Sequence, residues 1–204
     1  MKYIFVCYRP NHILKALLYS YYNGTKEDLF VIGSGEVEST SILAKKLNLS
    51  GYNILEIDYM KLQQNIFCSK KYAKTIINLI NHKSISREYL EIQSNFFTNV
   101  SKIFLFVDQN FLAHYFLNEG YDCNIEINLI EDGLLNYSPK QNGKNKFKFL
   151  SGIFPIGYNR KIKNIYLFQP NLYRGFFKNK IKLLESKYLE FTGNNEFDNV
   201  LKYL

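Results

Sequence analysis

The stretch "KIFLFVDQNFLAHYFLNEGYDCNIEINLIEDG", residues 102–133, decides the fold. "KIFLFVD" (102–108) is a short, nearly continuous run of apolar residues, the pattern of a strand buried on both faces. Helical spacing follows over about 109–119, and "CNIEINLIEDG" (123–133) is a second strand. A strand, a helix and a strand in this order form a crossover unit that returns the chain parallel to itself.

Working outward, the same alternation covers most of the chain. "YIFVC" (3–7) reads as a buried strand, and Asn11 is positioned to cap a helix with Ile13, Leu14, Leu17, Leu18 and Tyr21 on its apolar face. Asn23-Gly24 ends that helix. "DLFVIG" (28–33) is the second strand, a helix over 36–48 turns Val37, Ile42, Leu43 and Leu47 inward, and "YNILEID" (52–58) is the third strand. Residues 69–100 are helical with an uneven pattern. "YAKTIINLI" (72–80) is the clearest part, and "HKSISREY" (82–89) reads as a loop and helix start, with a capping-box spacing from Ser84 or Ser86. "IKNIYLFQP" (162–170) is a sixth strand stopped by Pro170. The expected fold is α/β: a Rossmann-like, doubly wound parallel sheet over residues 1–170, with 171–204 a helical appendage or the start of a linker. The polar run "SPKQNGKNK" (138–146) is a loop.

Composition bounds the function. With 47% hydrophobic residues in 204, the chain can bury a sizeable core. Its 26 basic and 18 acidic residues leave a net charge of +8, which attracts anions: nucleotides, phosphorylated glycans or acidic lipid. Apart from "RKIK" (160–163) and the lysines of 140–148 the charge is scattered, and no nucleic-acid recognition motif accompanies it, so nucleic acid is not an expected partner. Cys7, Cys68 and Cys123 are odd in number and lack metal-ligand spacing, which points to reduced thiols, and no metal site is expected. The apolar run before Arg9-Pro10 is too short for a signal peptide, and no segment reaches membrane-spanning length. A cytoplasmic protein is expected, with any membrane contact peripheral, on the inner face.

The acids at the end of the fifth strand are the main chemical feature. In an open parallel sheet, ligands bind beyond the carboxyl ends of the strands, where Glu131 and Asp132 fall. Alternation sends their side chains to opposite sides, so one faces the crevice while the other caps an amide or braces the loop. Gly133 permits a tight turn or the close approach of a ligand. A neighbouring carboxylate and partial burial would both raise a pKa, as a general base requires. Read alone, however, the residues favour a simple turn at Asp132-Gly133, a common turn signal, with Glu131 solvated, over a catalytic site.

The stretch 102–137, with its acidic-acidic-glycine motif at Glu131, Asp132 and Gly133 and with Asn136 and Tyr137 just beyond, resembles the bacterial lipooligosaccharide sialyltransferases of glycosyltransferase family 52. The likeness extends over about residues 1–175 and includes "IYLFQP" (165–170). It implies the N-terminal, acceptor-side domain of a two-domain GT-B enzyme. It also implies an inverting, metal-independent transfer of a sugar, sialic acid from CMP-sialic acid, to a surface glycan, with no cofactor. Asp132 would be the base, Glu131 its electrostatic neighbour, and Gly133, Asn136 and Tyr137 would meet substrate. The chain departs from the family at the His-Pro motif of the donor domain: His12 precedes Ile13, His82 precedes Lys83 and His114 precedes Tyr115. Half of such an enzyme would need a donor domain, for instance on a separate chain, or would serve as a non-catalytic glycan-binding or partner module.

Other features carry less. "GSG" (33–35) lacks a third glycine and precedes Glu36 and Glu38, which repel phosphate, so it reads as a turn. Asp58 and Asp108 lie at strand ends and can reach the crevice, although helix capping explains Asp108 as well. His12, at the first strand–helix junction, is placed for a ligand contact, whereas His114 reads as a packed helix residue.

Overall fold

A computed structural model describes residues 2–35, 37–67, 77–90, 96–133, 157–174 and 177–185. Its elements are β1 (Lys2–Cys7), α1 (Pro10–Asn23), β2 (Leu29–Ser34), α2 (Glu38–Leu49), β3 (Asn53–Asp58), α3 (Tyr59–Phe67), α4 (His82–Leu90), β4 (Val100–Leu105), α5 (Phe111–Asp122), β5 (Glu126–Ile130), β6 (Asn164–Leu167) and β7 (Ile181–Leu183). The strands form one sheet in the order β3-β2-β1-β4-β5-β6-β7, and every pairing is parallel. The chain runs outward from β1 to β3, returns to the centre, and runs outward again from β4. The strand order therefore reverses between β1 and β4, the switch point at which doubly wound sheets open a crevice.

Alternation along each central strand feeds two cores. Ile4, Val6, Val31, Ile103, Leu105, Ile127 and Leu129 belong to one cluster with residues of α3 and α5. Phe5, Cys7, Phe30, Ile32, Phe104 and Phe106 belong to the other, with α1 and α2. In the second core Phe5 is stacked between Phe30 at 5.3 Å and Phe104 at 5.1 Å, an aromatic ladder that crosses β2, β1 and β4.

Several local expectations are corrected. Tyr21 is half exposed, and Tyr19 is buried in its place. The rotation lets Tyr19 meet Phe104 at 4.6 Å while His12, two turns earlier, stacks on Phe106 at 4.9 Å. Asn11 does not cap α1: Arg9 is the N-cap residue, with Pro10 supplying the first helical φ. Val37 and Ile42 are exposed, and α2 turns Thr40, Leu43, Ala44 and Leu47 inward instead. Residues 82–89 are helix throughout rather than a loop and a cap, with Ser86 fully buried. "YAKTIINLI" falls partly outside the described residues, and its last four, 77–80, are helical. The sheet does not stop at residue 170: β7 pairs with β6 inside the segment expected to be a helical appendage. Only three residues long, with Lys182 at its centre, it carries no apolar run to announce it. Among the described residues no helix is long and apolar enough to cross a membrane.

At the amino end of the sheet Asp28 locks the first crossover unit. Its carboxylate, 2% exposed, accepts hydrogen bonds from the amide of Tyr3 (3.0 Å), the hydroxyl of Ser20 (2.6 Å), and the amide (3.1 Å) and hydroxyl (3.2 Å) of Thr25. It thereby ties β1, the end of α1 and the turn into β2 together. Replacing Asp28 with Ala strands several of these donors and is expected to cost about 3 kcal/mol. Asp28→Asn, which keeps one acceptor oxygen, should cost about half that. Urea unfolding measures both, and a loss below about 0.5 kcal/mol for the alanine variant contradicts this assignment.

Candidate functional site

The loop after β1 and the end of β5 meet at the carboxyl side of the sheet, on the α1 face. Pro10 begins α1, and the first turn brings Asn11 and His12 against Asp132. His12 is fully buried. Its Nδ1 accepts a hydrogen bond from the amide of Tyr8 at 3.2 Å, which fixes the neutral tautomer with the proton on Nε2. Nε2–H in turn donates to Asp132 Oδ1 at 2.5 Å. Asn11 Nδ2 donates to the same oxygen at 3.3 Å, and the Arg9 guanidinium lies 4.0 Å from Oδ2. Burial pushes the Asp132 carboxyl upward. The hydrogen bond and polarity of His12, the charge of Arg9 and the Asn11 bond outweigh that, and hold it below its ordinary 3.8. The expectation of a raised pKa is thus reversed, because the neighbouring carboxylate points elsewhere and donors surround Asp132. Asp132 is an ionised, partly exposed carboxylate, its side chain 21% accessible, with its orientation set by a buried imidazole.

Glu131 takes the opposite direction, as strand alternation requires. Its Oε2 accepts from the amide of Phe168 at 2.8 Å and its own amide donates to the carbonyl of Tyr166 at 3.0 Å, so it joins the ends of β5 and β6. Lys15, one turn along α1, donates from Nζ to the Glu131 carbonyl at 2.7 Å. Burial draws its ammonium down from 10.5, against the pull of Glu131 and Asp132. Gly133 lies beside Asp132 without a left-handed φ, and a Cβ there would meet nothing within 4 Å. No turn geometry demands glycine at 133, and the open space beside it stands next to the carboxylate. Asn136 and Tyr137 lie outside the described residues.

His12 offers no free ring nitrogen where a ligand contact was expected: both nitrogens are hydrogen-bonded, and the fully buried ring stacks on Phe106. Asp108 is corrected as well. Asn110, not Asp108, caps α5, its side chain accepting from the amide of Ala113 at 2.8 Å. Asp108 is 2% exposed, its Oδ2 accepts from the amide of Gly157 at 2.9 Å, and its Oδ1 is buried with no hydrogen-bond partner. Burial pushes its carboxyl up to about 7, against the backbone hydrogen bonds from Gly157 and from its own amide. It anchors Gly157, whose φ of +74° suits glycine, and does not face the crevice as a free acid.

The remaining candidates sit apart from Asp132. Asp58 Oδ1 accepts from the amide of Lys61 at 2.9 Å and so starts α3, while Gly35, at φ +103°, makes the turn expected of "GSG". His82 and His114 are both buried, Nε2 to Nδ1 at 2.7 Å, between α4 and α5. Cys7 and Cys123 are free thiols, and among the described residues no group of three or more His, Cys, Asp or Glu could hold a metal ion. A cavity of about 620 Å³ opens at the amino ends of β2 and β3, lined by residues that include Tyr21, Asp28 and Tyr52. It lies at the wrong end of the sheet to serve Asp132, and the Asp28 carboxylate in its wall is already saturated.

In dinucleotide-binding sheets the start of the first helix receives a pyrophosphate. Here Tyr8, Arg9 and Pro10 replace the glycines, and the Asp132 carboxylate occupies the favourable position for negative charge. A dinucleotide at this helix end would meet that carboxylate. What the arrangement offers is a held base: an ionised, partly exposed carboxylate with its rotamer fixed from behind. No family model and no curated protein matches the chain in sequence.

The His12–Asp132 pair has a measurable pH signature. Burial lowers the His12 pKa below 6.5, more than the hydrogen bond and charge of Asp132 raise it. Between that folded value and about 6.5 the unfolded chain holds the extra proton, so stability falls as pH drops through this window. Asp132, depressed in the fold, contributes stability above about 3.9 that is lost on further acidification. An NMR titration of the His12 ring should place its midpoint below 6.5, and lower still in Asp132→Asn. A midpoint above 6.5 contradicts the neutral-imidazole assignment.

Proposed function

We propose that the chain is the acceptor-side domain of a glycosyltransferase of sialyltransferase type, with Asp132 as its general base. The observation that carries this reading is the ionised Asp132 carboxylate at the carboxyl end of β5, one strand from the switch point and oriented by buried His12. In the proposed reaction an acceptor hydroxyl gives its proton to Asp132. Its oxygen attacks the anomeric carbon of the donor sugar, and the bond to the nucleotide phosphate breaks with its electron pair leaving on that phosphate. His12 keeps its own proton throughout, holding the carboxylate in line and stabilising its charge. Such a base contributes by position more than by strength, since its depressed pKa makes it a weak acceptor until the hydroxyl begins to ionise. The donor would be CMP-sialic acid and the acceptor a surface glycan, with the +8 charge favouring anionic partners.

One observation favours a second reading, a non-catalytic glycan-binding or partner module. All three histidines are committed inside the fold: His12 behind Asp132, and His82 with His114 on the far helices. None of them is placed to support a leaving phosphate, and this reading assigns that role to a donor domain. Co-purification of a second polypeptide that confers CMP-sugar binding fits this arrangement.

The decisive measurement is CMP release with a galactose-ended acceptor, made with the chain and its donor-domain partner together. Asp132→Asn is nearly isosteric and keeps an acceptor for His12. It should lower turnover about 100- to 10,000-fold with little change in melting temperature. Glu131→Gln, which keeps an oxygen for the Phe168 amide, should leave turnover within a few-fold of the parent. Near-normal turnover by Asp132→Asn, or its failure to fold, sinks the catalytic assignment.

A further inference from the structure

Arg9 is the cation at this site whose charge the fold leaves mostly unspent. Its backbone is fixed twice over: Pro10 confines the preceding residue to extended geometry, observed at φ −138° and ψ 156°, and its carbonyl accepts the first amides of α1, from His12 at 3.0 Å and Ile13 at 3.2 Å. The side chain projects from this rigid point and is 59% exposed. A guanidinium has five N–H donors in a planar fork, and its sole ion-pair contact among the described residues is one nitrogen 4.0 Å from Asp132 Oδ2, a long and exposed approach that contributes little. The Asp132 rotamer does not depend on it, since Oδ1 is held by His12 and Asn11, although the Arg9 charge helps keep the carboxyl ionised. The first turn of α1 contains no acid to neutralise Arg9, and the Glu131 carboxylate is turned to the Phe168 amide. Lys15 is less available, because its ammonium is partly buried and one of its three donors is given to the Glu131 carbonyl.

We propose that Arg9 selects an acceptor carrying an oxyanion, a carboxylate or a phosphate, on a group next to the hydroxyl that Asp132 activates. This rests on the acceptor-site reading above and adds a substrate class to it. The fork of Arg9 matches either oxyanion in a bidentate pair, and its 4.0 Å separation from Asp132 sets the reacting hydroxyl and the anion on adjoining parts of one ligand. Because the pair forms at the rim, in contact with water, its strength falls with added salt.

Binding can be measured by calorimetry or by NMR shifts on the chain itself, with three probes: lactose, which is neutral; 3′-sialyllactose, which carries a carboxylate; and galactose 6-phosphate. Inorganic phosphate is the control. One or both anionic sugars should bind about 10- to 100-fold more tightly than lactose, and which of the two does so separates a sialylated acceptor from a phosphorylated one. Arg9→Met should reduce the anionic sugars to the affinity of lactose, while Arg9→Lys, a point charge without the fork, should retain only part of the preference. Melting temperatures of both variants should match the parent, since the side chain is exposed. Lactose binding with no anion preference, or a preference that survives Arg9→Met, overturns this inference and leaves the acceptor-site reading standing. Inorganic phosphate binding as tightly as galactose 6-phosphate reduces Arg9 to a general anion site and also overturns it. Failure of all three sugars to bind at millimolar concentration overturns the inference and the acceptor reading together.

Discussion

The parallel pairing of β1 with β4 is the constraint on which the site depends. Ile4, Phe5 and Val6 pair with Ile103, Phe104 and Leu105, so the first strand of the chain lies at the centre of the sheet, between β2 and β4. Had β1 remained at an edge, the turn at residues 8–12 would face solvent. Placed at the centre, it stands beside the ends of β4 and β5, and residues about 120 positions apart come into hydrogen-bond contact. The aromatic ladder from Phe30 through Phe5 to Phe104 fixes this placement, and Phe106 carries it upward to the ring of His12.

The two acids at the end of β5 then divide their work for a geometric reason. Successive side chains leave a strand on opposite sides. Glu131 reaches the β6 end and holds the sheet together, while Asp132 reaches the start of α1. At that helix end the peptide dipoles, Asn11 and Arg9 favour the charged form, and the proton on His12 Nε2 supplies a short hydrogen bond. Burial works against the charge, yet the donors win and the carboxyl stays ionised. Asp108 shows the contrary balance: nearly as close to a strand end, it has a backbone partner for one oxygen and none for the other, and burial carries it up to about 7. Two aspartates in similar sequence settings therefore differ in protonation because of the donors around them.

Much of the fold was legible because its central strands are buried on both faces and so are written as apolar runs. β1, β2, β4 and β5 stand out in the sequence for that reason, and the helices between them force a parallel arrangement. Elements that lack such a run were missed or misread. β7 is short and partly exposed, and α4 carries few apolar residues and looks like a loop. Sequence alone does not single out the caps, because several polar residues near a helix start, Asn11 and Asp108 among them, can serve and only the backbone path selects Arg9 and Asn110.

The sequence by itself determined the layered α/β architecture and the position of Glu131 and Asp132 at the carboxyl edge of the sheet. Those follow from local rules: the period of the apolar residues and the alternation of side chains along a strand. Tertiary structure alone decided that His12 stands behind Asp132, that Asp108 is buried on Gly157, and that Arg9 is left exposed 4.0 Å from Asp132. These depend on which strands become neighbours and on the donors that meet at their ends. Neither is encoded in the spacing of residues along the chain, because both arise from contacts between segments more than 40 residues apart.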